Sequence, residues 1–96
     1  MPLSDITRPA VDAALGEFDR LGRESFLHKY GFGKARDYYL VRDGKYYDSK
    51  AIAGAAHGFL AGRSALLASE FSGGAATVAA QLESLGYVVT SDRPRD

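Results

Sequence analysis

"YYLVRDGKYYDSKAIAGAAHG", residues 38 to 58, holds the reading on which the fold turns. Asp43-Gly44 sits between two extended, aromatic-rich runs, Tyr38–Arg42 and Lys45–Asp48. A type I′ turn needs positive φ at both central residues, so Asp-Gly flanked in this way is the strongest short-range signal for a two-residue hairpin. That turn sets the register: Arg42 opposite Lys45, Val41 opposite Tyr46, Leu40 opposite Tyr47. One face then carries Tyr38, Leu40, Arg42, Lys45 and Tyr47, and the other Tyr39, Val41, Tyr46 and Asp48. Neither face is purely apolar, so rings are expected on both sides of the sheet. Aromatic pairs are common cross-strand stabilisers. At least two of the four tyrosines should therefore be core, Tyr47 and Tyr38 above the others.

Working outward, Asp48 or Ser49 is placed to cap a helix over "KAIAGAAHGFLAG", with Ile52, Ala55, Ala56, Phe59 and Leu60 toward the core. Its small residues permit close approach by another backbone. Upstream, Ser4, Asp5 and Thr7 are cap candidates for a first helix with Pro9 in its first turn. Val11, Ala14, Leu15, Phe18 and Leu21 form its apolar stripe, and Gly22 ends it. "RESFLHKY" is a second, shorter helix with Phe26, Leu27 and Tyr30 as contacts, and "GFGKARD" is a loop. Downstream, Ser72 and Gly73-Gly74 precede a fourth helix with Val78, Leu82 and Leu85 on one stripe and Gly86 at its C′ position. "YVVT" completes the sheet, because an isolated two-stranded hairpin is marginal. The expected fold is a small α+β domain with two N-terminal helices, a hairpin, two further helices and a final strand in a three-stranded antiparallel sheet. It spans residues 1–91, and residues 92–96 read as the start of a linker.

At 96 residues the chain is one domain, able to bury roughly 60 to 65% of its unfolded surface. Its apolar (46%) and charged (25%) shares are those of globular proteins, so a folded chain rather than a disordered one is expected. With no cysteine there are no disulfides, zinc-thiolate sites or thiol nucleophiles, which fits a reducing cytoplasm. No apolar run approaches about 18 residues and the start has no signal-peptide core, so a soluble, unexported protein is expected.

The net charge is zero, which argues against a DNA coat, but the charge is segregated. Residues 29 to 63 hold seven basic groups (Lys29, Lys34, Arg36, Arg42, Lys45, Lys50, Arg63) against three acids (Asp37, Asp43, Asp48), and each flank carries a compensating deficit of two. Such a distribution guides a polyanion to one face.

Most motifs of catalysis fail on inspection. "GFGK" at 31–34 lacks the spacing of a phosphate-binding loop, and Lys34 is followed by Ala35 rather than a hydroxyl residue and a helix. The two histidines, His28 and His57, have no metal-ligand spacing, and His57 on a small-residue helix reads as packed or capping. Ser49, His57 and Asp48 could be assembled into a triad on paper, but three common residues carry no such information. No catalytic residue, metal or cofactor is expected. "FSGGAAT" (71–77) is more informative. Ser72 and the N–H groups of Gly73 and Gly74 at a helix start can hold an anion, with Thr77 one turn in.

"GKYYDSKAIAGAAHG", then "EFSGG", then "LESLGYVV" together resemble the N-terminal head domain of McrA-type, modification-dependent HNH restriction endonucleases. The resemblance rests on Tyr47 to Lys50, Ala51 to Gly58, Phe71 to Gly74 and Leu85 to Tyr87, and covers roughly residues 10 to 90. It implies a DNA-binding module of a type IV restriction system, in some relatives a reader of 5-methylcytosine, covalently joined to further modification-reading domains and a nuclease. The chain has no HNH pattern of its own, so cleavage is expected elsewhere in the longer protein.

The expected partner is therefore double-stranded DNA, modified. Lys34, Arg36, Arg42, Lys45, Lys50 and Arg63 would neutralise phosphates, and Ser72, Gly73, Gly74 and Thr77 would grip another; such contacts position without specifying. Tyr39, Tyr46 or Tyr47, with Ser49, would read the major-groove edge, where a ring can contact a C5 methyl group. The chain is short for a deep pocket, so reading without base flipping is expected. The alternative is a protein-interaction or spacer domain, marked by an exposed apolar patch on the hairpin in place of a basic one.

Overall fold

The computed structural model describes residues 2–71 and 75–91. The elements run in the expected order: α1 (Arg8–Leu21), α2 (Arg23–Tyr30), β1 (Tyr39–Arg42), β2 (Lys45–Asp48), α3 (Ser49–Gly58), α4 (Ala75–Ser84) and β3 (Val88–Thr90). Two short 3₁₀ turns, Pro2–Asp5 and Ala68–Glu70, have no counterpart in the sequence reading.

Of the three cap candidates, Thr7 is the one used: its Oγ1 accepts from the Ala10 N–H at 3.3 Å. Pro9 then costs the helix nothing, because the first-turn N–H groups have no intrahelical partner. Val11, Ala14, Leu15 and Phe18 are buried along one stripe, while Leu21, expected with them, is exposed at the helix end. Gly22, at φ 86°, closes α1 and opens α2 in a conformation that costs a Cβ-bearing residue energy. A buried carboxylate ties the two helices together. Glu17 accepts from the Lys29 ammonium and the Tyr30 hydroxyl. Burial pushes the Glu17 carboxyl up, but those two bonds and the Lys29 charge outweigh it and hold it below the usual range.

The hairpin has the expected register, Tyr39↔Asp48 through Arg42↔Lys45. Asp43 (φ 53°) and Gly44 (φ 77°) both take the left-handed conformation that a type I′ turn demands. β3 adds antiparallel to the other side of β1, giving the order β2-β1-β3. Leu40 and Tyr47 point inward against the helices. Tyr47 is 1% exposed, packs edge-on to Phe18 at 4.9 Å, and donates to Asp19 at 2.9 Å.

Tyr39, not Tyr38, is the second core tyrosine. The chain bends ahead of β1, so Tyr38 stays half-buried, while Tyr39 donates to the Ala35 carbonyl at 2.7 Å and meets Tyr46 edge-on at 6.1 Å.

α3 is the central helix, buried over Ala51–Ala56 and flanked by α1, α2 and α4. It ends at Gly58, short of the "FLAG" segment, because the chain turns back across it. The Leu66 N–H bonds to the Gly54 carbonyl at 3.0 Å, and His57 Nδ1 donates to the Ser64 carbonyl at 2.6 Å. Gly54 and Gly58 allow that passage: a Cβ would lie 2.9 Å from the Leu66 carbonyl oxygen at the first, and 2.8 Å from the Ala65 nitrogen at the second. Phe59, expected in the core, is consequently exposed. At the far end Gly86 (φ 98°) turns α4 into Tyr87, whose hydroxyl donates to Asp12 and to the Arg8 carbonyl. Burial first, and then Asp12, pushes the Tyr87 hydroxyl up to about 12. Among the described residues no helix is long and apolar enough to cross a membrane.

Candidate nucleic-acid interface

The basic residues of the hairpin region divide into two groups. At the hairpin tip the cations are already answered by α1. Arg42 lies 3.5 Å from Asp19 and 3.8 Å from Asp12, with its guanidinium over the Tyr47 ring at 5.8 Å. Lys45 reaches Asp19 at 3.3 Å. Arg63 pairs with Asp5 at 2.9 Å. The local surplus read from the sequence is thus largely cancelled here by acids brought in from the N-terminal flank. Exposed pairs of this kind are weak, about 0–1 kcal/mol, but they compete with a phosphate for the same cation.

Lys34, Arg36 and Lys50 form the other group. None has an ion pair among the described residues. All three line one groove of about 350 Å³ between the 32–38 segment and the start of α3. Lys34 and Arg36 also line a second hollow of about 730 Å³ with Arg23 and Tyr39.

Asp48 positions this loop. Its carboxylate is 3% exposed and accepts from Arg23 Nε at 2.9 Å, Arg23 Nη2 at 2.7 Å and the Ala35 N–H at 2.8 Å. The bond to Asp48 holds the Arg23 guanidinium charged even more firmly than usual. Asp48 occupies the N-cap position of α3 but makes no capping bond, because both oxygens are committed elsewhere. Ser49 is buried too, its hydroxyl donating to the Tyr38 carbonyl at 3.0 Å. The loop is therefore pinned at Ala35 and Tyr38, with the intervening Arg36 and Asp37 exposed. α3 starts beneath it without a side-chain cap, its positive dipole end beside Lys50.

Lys50 also reaches Phe71. Its ammonium sits 5.1 Å from the centre of the Phe71 ring, which in turn meets Phe32 edge-on at 5.9 Å. Phe71 leads directly into Ser72, Gly73 and Gly74, the expected phosphate grip, which lie outside the described residues. Thr77 is exposed in the first turn of α4.

Among the expected readers, Tyr47, Tyr39 and Ser49 are buried and spent on internal bonds, so they shape the site from inside. Tyr46 is the exposed one, at 39%. It stands in a row across the outer sheet face with Val41 and Val88. The groove also takes in Asp37, Tyr38 and Asp48, and the hollow Arg23, none of which the sequence places there. "YDSK" before a helix reads as a cap, and nothing local shows that Asp48 answers an arginine on α2 instead. No cluster of metal-ligating side chains occurs among the described residues.

Comparison with known proteins agrees with this architecture. No curated protein matches the chain. A solved structure, that of the type IV phosphorothioation-dependent restriction endonuclease ScoMcrA, superposes with a TM-score of 0.68 at 30% sequence identity over 95% of this chain. The chain spans 14% of the length of that protein chain, as one module of a much larger enzyme would. The family described as ScoMcrA-like, N-terminal head domain, matches residues 4–91, which takes in every helix and strand of the fold except the first residues, and the chain belongs to that family.

Proposed function

We propose that the chain is the DNA-binding head of a modification-dependent restriction endonuclease, working in the cytoplasm on duplex DNA, with the cleaving domain elsewhere in a longer protein. The observation that carries this reading is the convergence of Lys34, Arg36 and Lys50 on one groove without acidic partners among the described residues, while Arg42, Lys45 and Arg63 are internally paired. Three or more phosphate contacts give binding that weakens steeply with salt. The modification is 5-methylcytosine or another change to the duplex. The similar ScoMcrA enzyme is described as phosphorothioation-dependent, which makes a backbone substitution the second candidate.

The test is a titration against one short duplex in plain, CpG-methylated and phosphorothioate forms at two salt concentrations. Salt-sensitive binding with at least tenfold preference for one modified form is the expected result. Salt-sensitive binding without preference would reduce the domain to an anchor.

One observation favours a second reading, a docking module for a neighbouring domain. Tyr46, Val41 and Val88 form an apolar row on the outer sheet face, and Val88 is 64% exposed. Failure to bind any duplex at low salt would favour it.

A further inference from the structure

The groove between the 32–38 segment and α3 holds one group that a phosphate cradle does not need. Asp37 lines it together with Lys34, Arg36 and Lys50, and its carboxylate has neither an ion pair nor a hydrogen bond among the described residues. A free carboxylate at that place repels the phosphates that the cations attract. Beside it stands Tyr38, half-buried, its ring and hydroxyl likewise without a partner among the described residues. Ala35 and Ala51 supply a small apolar wall. The volume of about 350 Å³ falls in the range of clefts that enclose small ligands, about 300–1,000 Å³.

An acid, a ring and small apolar walls are the means by which proteins hold a nucleobase taken out of its stack. The base edge is hydrogen-bonded and its faces lie between aromatic and apolar side chains. A carboxylate accepts from the N4 amino group of cytosine. We propose that this groove takes one cytosine extruded from duplex DNA. Asp37 accepts from its N4 amino group, the Tyr38 ring stacks on it, and Lys34, Arg36 and Lys50 hold the flanking phosphates. Ala35 and Ala51 leave room for a C5 substituent. The inference rests on the DNA-binding reading, and it replaces the expectation of reading without extrusion. A short chain forms this space because the bonds from Asp48 to Ala35 and from Ser49 to Tyr38 fix the loop in advance.

The test uses a short duplex with 2-aminopurine directly beside a central cytosine, paired or mispaired, and the wild-type, Asp37→Ala and Tyr38→Ala chains. Departure of the cytosine unstacks its neighbour and raises the emission. A mispaired cytosine already lacks part of the energy that extrusion must overcome, a few kcal/mol in all, so it should bind about tenfold more tightly than the paired one. Both variants should lose the emission rise and the mispair preference while keeping salt-dependent binding of the matched duplex and the wild-type circular dichroism. Binding with no emission change and no mispair preference would overturn the inference and leave the DNA-binding reading standing. Absence of binding to every duplex at low salt would overturn both.

Discussion

Arg23 and Asp48, 25 residues apart, meet as a two-pronged ion pair, and the same Asp48 carboxylate takes the Ala35 N–H. One buried carboxylate thus joins the start of α2, the cation-bearing loop, the end of the hairpin and the first turn of α3. An Asp in this position is spent on tertiary structure rather than on its own helix.

Replacing it exposes the dependence. Asp48→Ala leaves the Ala35 N–H and the half-exposed Arg23 guanidinium without their acceptor and should cost about 1–3 kcal/mol, the usual consequence of leaving a donor unsatisfied. Denaturant unfolding measures that loss. Amide exchange at Ala35 should quicken more than exchange in α1, because the loop is released before the helices part.

The Glu17 cluster predicts an acid limb. Its carboxyl is held below the ordinary value by Lys29 and Tyr30 against the opposing effect of burial. A group depressed on folding contributes in full above its unfolded value, about 4.3, and the contribution is lost as pH falls through the lower folded value. Stability should therefore decline below about pH 4.3. Glu17→Gln should flatten that limb and lower stability at pH 7 by about 1 kcal/mol, the difference between charged and neutral hydrogen bonds. Thermal unfolding between pH 3 and pH 7 checks both.

Gly54 is where the return of the chain across α3 is most sensitive. A Cβ there would stand 2.7 Å from the Phe32 ring and 2.9 Å from the Leu66 carbonyl oxygen, and the latter belongs to backbone that cannot rotate away. Gly54→Ala should destabilise by about 1–3 kcal/mol through overpacking, despite alanine's better helix propensity. Gly16→Ala, with open space around the added carbon, should be neutral or stabilising.

The two central hairpin tyrosines should behave oppositely. Tyr47→Ala empties a core position and should cost about 3–5 kcal/mol. Tyr46→Ala, on the outer face, should cost less than about 1 kcal/mol, the scale of one cross-strand pair. Urea midpoints of the two variants decide it.

What the sequence made legible was local. The α1 stripe, the Asp43-Gly44 turn with its register, and the small-residue helix follow from spacing and backbone conformation within a few residues. The burial of Tyr39 over Tyr38 was not legible, because it depends on where the 33–38 loop is pinned. The pairing of Arg42 and Lys45 with Asp12 and Asp19 was hidden for the same reason: the acids sit on α1, and only the packed fold brings them to the hairpin tip. Charge summed along the sequence marked the region, and the fold separates its paired cations from its unpaired ones. Lys34, Arg36 and Lys50, in the loop and at the start of α3, are without an ion pair among the described residues.

The measurement that tests this assignment most directly is the salt dependence of duplex binding for two double variants, Lys34→Ala/Arg36→Ala and Arg42→Ala/Lys45→Ala. Each lost phosphate contact lowers the slope of log K against log salt by about 0.9. The loop pair should therefore lower it by about 1.8, while the hairpin pair should leave it near the wild-type value. A hairpin pair that lowers the slope while the loop pair does not would place the DNA on the other side of the domain and contradict the account.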